Sequence, residues 1–169
     1  PRPVYRGRGR TFGRRRGVVR RQHGRPRSRG WKLTLQALPV RSADVETIWE
    51  QVEPYIAAAL ARGRGTHTAD DVKRACIDRD AQLWIGTDDD GLAAVAVTEI
   101  AVRPRRKTAR VWIFAARDAP EWIAHRLENI EAWAKAEGCS ELEMSGRLGW
   151  QKRLPGWTAR EVVMTKGLA

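Results

Sequence analysis

Apolar positions recur along this chain with two different periods, and their order predicts its elements. Leu33 to Leu38 alternates as a first strand, entered through Gly30 and Trp31. From Val45 the period changes: Val45, Ile48, Trp49, Val52, Ile56, Ala59 and Leu60 fall at three- and four-residue steps, which predicts a helix with one apolar stripe after a Ser42 cap. Pro54 lies inside it and predicts a kink or a division, because its ring removes a backbone donor and clashes with the preceding turn. Arg62 to Gly65 ends that element. Thr68, with Asp71 three residues on, is a capping-box pair that opens a shorter helix to about Arg79.

Three strands then follow: Gln82 to Thr87, Leu92 to Val102 and Ala109 to Ala116. The Asp88-Asp89-Asp90-Gly91 turn joins the first two and Arg103 to Lys107 the next two, so an antiparallel meander is expected. The second and third strands are apolar on both alternation phases, Val95 and Val97 opposite Ala94 and Ala96, then Val111 and Ile113 opposite Trp112 and Phe114. Both faces of these strands must therefore be covered, which predicts helices on the two sides of the sheet. A third helix begins after Pro120 and runs to about Glu137, with Ile123, Leu127, Ile130 and Ala134 on one stripe and Trp122 and Trp133 beside it. Gly138 stops it. Glu141 to Ser145 reads as a strand, Arg147 to Leu154 as a short helix or turn broken by Pro155-Gly156, and Thr158 to Lys166 as the last strand. The expected class is α/β in the α+β sense, a mixed and mostly antiparallel twisted sheet with helices on both faces.

Charge divides the chain at residue 30. Residues 1–30 hold twelve arginines, six glycines and three prolines without one Asp, Glu or Lys, whereas residues 31–169 balance twenty basic side chains against twenty acidic ones. The net charge of +12 thus belongs to an N-terminal arm, and the expected organisation is a basic arm over 1–30 and one domain over 31–169. An arm of this composition buries too little apolar surface to offset its ordering entropy, so it is expected to be disordered until an anionic partner orders it. The residues that would meet that partner are Arg2, Arg6, Arg8, Arg10, Arg14, Arg15, Arg16, Arg20, Arg21, Arg25, Arg27 and Arg29. Their planar guanidiniums suit bidentate contact with phosphate, which makes nucleic acid, DNA or RNA, or the acidic surface of a neighbouring protein subunit, the expected partner.

Other chemistry is sparse. Cys76 and Cys139 lack CxxC spacing, and His23, His67 and His125 are too scattered to form a zinc site with them, so no metal is expected. No apolar run approaches the roughly 20 residues of a membrane span, and nothing in the arm reads as a secretory leader or transit helix. The three aspartates before Gly91 fit a polar hairpin tip. Glu99 is the only carboxylate in the run from Leu92 to Val102. It reads either as a buried general base or as the ion-pair partner of Arg103 or Arg110.

The order strand, two helices, three strands, helix, strand, short helix, strand, together with Gly138-Cys139-Ser140-Glu141-Leu142-Glu143-Met144 and Leu148-Gly149-Trp150 through Leu154-Pro155-Gly156-Trp157, resembles the GNAT acetyltransferase superfamily. In particular it resembles the small, divergent GNAT-like proteins of tailed bacteriophages, over about residues 31–169. The resemblance implies a fourth and fifth strand that splay to admit acetyl-CoA, a Q/R-x-x-G-x-G/A turn holding its pyrophosphate, a strand Glu as base and a Tyr after the fifth strand as acid. The matching turn here is Ala116-Arg117-Asp118-Ala119-Pro120-Glu121. Arg117 alone fits its first position; glycine is absent, Pro120 supplies no amide, and Asp118 and Glu121 place negative charge where a diphosphate would sit. Arg117, Asp118, Ala119 and Glu121 are thus a degenerate cofactor turn, Glu99 matches the base, and Trp150 stands near the place of the acid. Three functions are compatible with this: a phage structural or virion-associated scaffold with a nucleic-acid-binding arm and no cofactor, an N-acetyltransferase using acetyl-CoA, or an RNA- or ribosome-associated factor acting in the bacterial host cytoplasm.

Overall fold

In the computed structural model, residues 37–63, 65–117, 127–146, 148–154, 156–160, 164, 166 and 167 are described. The arm over 1–30, the expected start of the first strand at Leu33, and Asp118 to Arg126 lie outside them.

Among the described residues the sheet has five strands in sequential order: β1 (Leu38–Pro39), β2 (Ala81–Asp88), β3 (Gly91–Arg103), β4 (Arg106–Ala116) and β5 (Glu141–Met144). β1 to β4 are antiparallel neighbours, and β5 joins β4 in parallel. The meander and the mixed sheet expected from the sequence are therefore present. Of the expected first strand, residues 33–36 lie outside the described residues; Leu38 is in β1, which ends at Pro39, and proline is tolerated there because β1 is at the edge of the described sheet.

Helix α1 (Val45–Leu60) is one undivided element despite Pro54, which corrects the expected division. Pro54 and Glu50, whose carbonyl loses its partner, are both exposed, so water can satisfy the freed group. Nor does Ser42 cap α1. A 3-10 turn over Ser42–Asp44 leads into it, Asp44 is held by Arg41 at 2.6 and 3.1 Å, and the Ser42 hydroxyl accepts from Arg79 Nε at 3.3 Å. Helix α2 (Ala69–Asp78) has the capping box that its sequence predicts: Asp71 N–H donates to Thr68 Oγ1 at 3.2 Å, and Thr68 N–H donates to Asp71 Oδ2 at 2.8 Å. Helix α3 (Glu128–Ala136) closes at Gly138, whose φ of +73° suits glycine, with Cys139 N–H reaching back to the Ala134 carbonyl at 2.9 Å.

Residues Ala93 to Thr98 of β3 are all buried, because the sheet is covered on both faces. On one face Val95, Val97, Leu83 and Ile113 pack with Val45, Trp49, Val52 and Ile56 of α1 and Val72 and Cys76 of α2. On the other, Trp84, Ala96 and Val111 pack with Leu127 and with Ile130 of α3. Burial of this kind stabilises by ~25 cal/mol per Å² of apolar surface, and it fixes the register, since a slip of one residue would exchange the two faces.

Two buried threonines differ in their partners. Thr98 Oγ1 accepts from the Trp84 indole at 2.9 Å, whereas Thr108 Oγ1 is buried with no partner among the described residues. Thr108→Val should therefore raise the unfolding free energy by ~1 kcal/mol in denaturant titrations, and Thr98→Val should lower it by ~1–2 kcal/mol by orphaning the indole N–H. Destabilisation by Thr108→Val would mean that its hydroxyl has a partner.

Candidate cofactor cleft

The β3–β4 pairing sets up the site. Val97 pairs with Ile113, but Thr98 pairs with Val111, so Trp112 is an extra residue in β4 and forms a bulge. β5 pairs with β4 only from Thr108↔Glu141 to Val111↔Met144, while β4 continues to Ala116. β5 is paired over its whole length and ends opposite Val111, next to the bulge, so β4 beyond Val111 has no strand beside it on that side among the described residues.

Two aromatic pairs involve the bulged segment of β4. Trp112 meets His67, from the loop between α1 and α2, edge to face at 4.7 Å. Phe114 meets Trp150 at 6.1 Å, edge to face. Trp150 belongs to the 3-10 helix Leu148–Arg153 that follows β5, so the Phe114–Trp150 pair bridges the extended end of β4 and the chain beyond β5. A cavity of about 10 Å³ beside Phe114, Trp84 and Leu127 has room for no more than one water.

Glu99 lies one row beyond Thr98↔Val111, which borders the bulge, and stands opposite Arg110, which in turn lies opposite Glu143. Arg110 Nη1 donates to Glu99 Oε1 at 3.0 Å, so the structure forms one of the two ion pairs that the sequence left open. The row beyond it adds Glu141, which accepts from Arg160 at 2.7 Å and Arg106 at 2.8 Å, while Glu143 accepts from Arg103 at 3.5 Å. The hydrogen bond from Arg160 holds the Glu141 carboxyl below its ordinary range, and the charge of Arg106 adds to this.

Arg117 follows β4, and its guanidinium turns to the β2–β3 hairpin. It donates to the Leu92 carbonyl at 2.8 Å and to Asp88 Oδ1 at 3.4 Å, and lies 3.8 Å from Asp90 Oδ2. Asp118, Ala119 and Glu121, the rest of the degenerate turn, lie outside the described residues. Tyr55 on α1 donates to the same Leu92 carbonyl at 2.6 Å, remote in the chain from the helix after β5 where an acid would be sought. The pairing of Arg117 with Asp88 and Asp90 was not foreseen; only a carboxylate-rich turn facing an arginine across one intervening strand could have signalled it. Burial pushes the Cys76 thiol up to about 11, which leaves it protonated and inert at neutral pH. Among the described residues no group of three or more His, Cys, Asp or Glu is placed to hold a metal, and no helix is long and apolar enough to cross a membrane.

By sequence, neither a family model nor a curated protein matches the chain. By shape, an aminoglycoside acetyltransferase from an uncultured soil metagenomic sample matches with a TM-score of 0.58 at 8% identity, over 80% of this chain and 97% of its own. A GNAT family acetyltransferase from Staphylococcus aureus subsp. aureus matches at 0.51 with 13% identity, over 78% and 97%. The glucosamine-6-phosphate N-acetyltransferase from Arabidopsis thaliana matches at 0.52 with 14% identity, over 81% and 100%. The fold is that of the GNAT acetyltransferases.

The stretch of β4 past the end of β5 is where the sequence resemblance would put acetyl-CoA. The described residues fit that group poorly. Arg117, the only residue of the turn that suits a pyrophosphate, is paired with two aspartates, and the chain has no glycine between Gly91 and Gly138 to let backbone amides approach a phosphate.

The Glu141 shift has a defined consequence. A carboxyl depressed in the folded state adds stability above its unfolded value, and this is lost as pH falls through the folded value, below about 4.5 here. Glu141→Gln should make the acid limb of the stability–pH curve shallower, and Arg160→Ala should raise the Glu141 pKa in carboxyl-resolved NMR titration. An unchanged titration in Arg160→Ala would remove Arg160 as the cause.

Proposed function

We propose that this protein is a GNAT-fold scaffold without acetyl transfer, which carries a basic arm that binds nucleic acid. The observation that supports the scaffold reading most directly is the engagement of Arg117 by Asp88, Asp90 and the Leu92 carbonyl. A diphosphate at this place would face two carboxylates and compete for a cation they already neutralise. The twelve arm arginines and the balanced remainder of the chain support the binding reading, because the whole excess of charge lies where a backbone of phosphates could be tracked by Arg and Gly in turn. The setting we propose is a phage particle, or the cytoplasm of its bacterial host, and this rests on the resemblance of the C-terminal pattern alone.

A second reading, an N-acetyltransferase, is favoured by the bulge at Trp112 and by the end of β5 beside it, which leave one edge of β4 without a strand neighbour among the described residues. In that case Glu99 would serve as base once Arg110 releases it, and Arg117 would serve the cofactor. Calorimetric titration separates the two readings. The full-length protein should bind acetyl-CoA weakly or not at all, and Asp88→Asn with Asp90→Asn should tighten whatever binding exists by freeing Arg117. Micromolar binding by the unaltered protein, with turnover lost in Glu99→Gln, would overturn the scaffold reading.

The arm is tested separately. The full chain should bind duplex or single-stranded nucleic acid with little sequence preference, and log K should fall steeply with log salt, by about 0.9 per duplex phosphate engaged. Replacing the twelve arm arginines by glutamine should abolish most of that affinity. Equal affinity in the two proteins, or an affinity indifferent to salt, would remove the nucleic-acid reading.

A further inference from the structure

The balanced charge of residues 31–169 conceals a local excess. From Ile100 to Arg117 there are Arg103, Arg105, Arg106, Lys107, Arg110 and Arg117 and not one carboxylate. Four of these six cations fall in the five residues Arg103 to Lys107, where β3 turns into β4. The turn is a projecting ribbon. β2 accompanies β3 only as far as Ala81↔Glu99, so β3 runs four residues, about 13 Å, beyond its last partner there. On the other side β5 accompanies β4 only from Thr108 onward, which leaves Val102 to Lys107 clear of both neighbouring strands.

The ribbon breaks two local rules of sheet stability. Arg103 pairs directly with Arg106, two like charges at the closing rung of a hairpin, and Val102 beside them is 76% exposed. Glu143 and Glu141 offset part of the repulsion through single contacts to Arg103 and Arg106, but each guanidinium has five donors, and both side chains remain about half exposed. Arg105 makes no ion pair among the described residues. Arg103, Pro104, Arg105 and Arg106 surround an open hollow of about 480 Å³, with Glu143 on its wall. Local rules are broken chiefly where a site is kept for binding.

We propose that this hairpin tip is a second nucleic-acid contact, which holds the sugar-phosphate backbone in the hollow between Arg103, Arg105 and Arg106. It rests on the reading of the arm as a nucleic-acid binder and adds to it a fixed point on the folded domain. A nucleic-acid backbone is favoured over an acidic protein because the cations crowd onto a narrow two-stranded ribbon with an exposed proline at its turn, a shape that enters a groove, and because they are arginines, whose flat forks match phosphate oxygens.

The test uses the full-length chain, a fluorescein-labelled duplex of random sequence, and anisotropy titrations over a salt series. Arg105→Ala should weaken binding roughly threefold to tenfold at low salt and make the salt slope shallower by about 0.9, the signature of one lost phosphate contact. Arg74→Ala on α2, which removes the same charge elsewhere, should leave the slope unchanged, and both variants should melt with the unaltered protein. Binding by the unaltered chain with identical slopes in Arg105→Ala would overturn the tip contact and leave the arm reading standing. No binding by the unaltered chain would overturn both. Equal losses in Arg105→Ala and Arg74→Ala would reduce the effect to net charge and overturn the proposal, as would tighter binding of a polyglutamate peptide than of the duplex.

Discussion

The covering of β3 and β4 on both faces is the constraint on which the other features depend. An ordinary antiparallel hairpin alternates one buried and one solvated face, but here Ala93 to Thr98 are buried without a break. α1 and α2 must therefore occupy one side and α3 the other. Because α3 connects β4 to β5 across a face of the sheet, β5 returns parallel to β4 rather than antiparallel. The anchoring is local: Lys107 reaches the Glu137 carbonyl at the end of α3, and Ser140 N–H donates to the Lys107 carbonyl at 2.9 Å. These contacts bind β5 to the first half of β4, ahead of the bulge at Trp112.

How much of this the sequence discloses follows from what each signal can carry. The helix stripes, the Thr68–Asp71 box, the Gly138 stop and the meander were all legible, since each depends on a few nearby residues and a fixed period. Pro54 could signal a kink or a division, and the helix runs through it undivided because the carbonyl it leaves without a partner faces water. The bulge could not be read at all. A slip of register shows in sequence only where apolar and polar residues alternate, and Val111 to Ala116 is apolar on both phases. Arg117 was legible as a phosphate ligand by its place in the turn, but its pairing with Asp88 and Asp90 joins residues about 30 apart through tertiary contact. For Glu99 the sequence offered a base or an ion pair, and the register with Arg110 forms the pair.

The charged rows of the sheet and the apolar rows beside them explain how a charged site persists next to a core. Glu99, Arg110 and Glu143 share one row and Ala101, Thr108 and Glu141 another, while the alternate rows Thr98, Val111, Met144 and Ile100, Ala109, Leu142 face the other side. Where β5 joins β4 the face of Glu99 and Arg110 thus carries charged side chains, although Thr108 beside them is buried. The ion pairs there are part exposed, so each adds little stability, and their weight lies in fixing side-chain positions. That distinction favours a structural use of Glu99, because a base must give up its cation before it can take a proton.

The excess of basic charge lies in residues 1–30, apart from the stretch that supplies the strands and helices. Were the excess of +12 spread over residues 31–169, self-repulsion would weaken the fold whenever no anion was present. Confined to residues 1–30, it leaves the remainder of the chain balanced, twenty basic side chains against twenty acidic ones. The hairpin tip is the exception, since Arg103 opposite Arg106 brings like charges into the ladder itself. Glu141 and Glu143 offset that repulsion through single, part-exposed contacts to Arg106 and Arg103, which engage only some of each guanidinium's five donors.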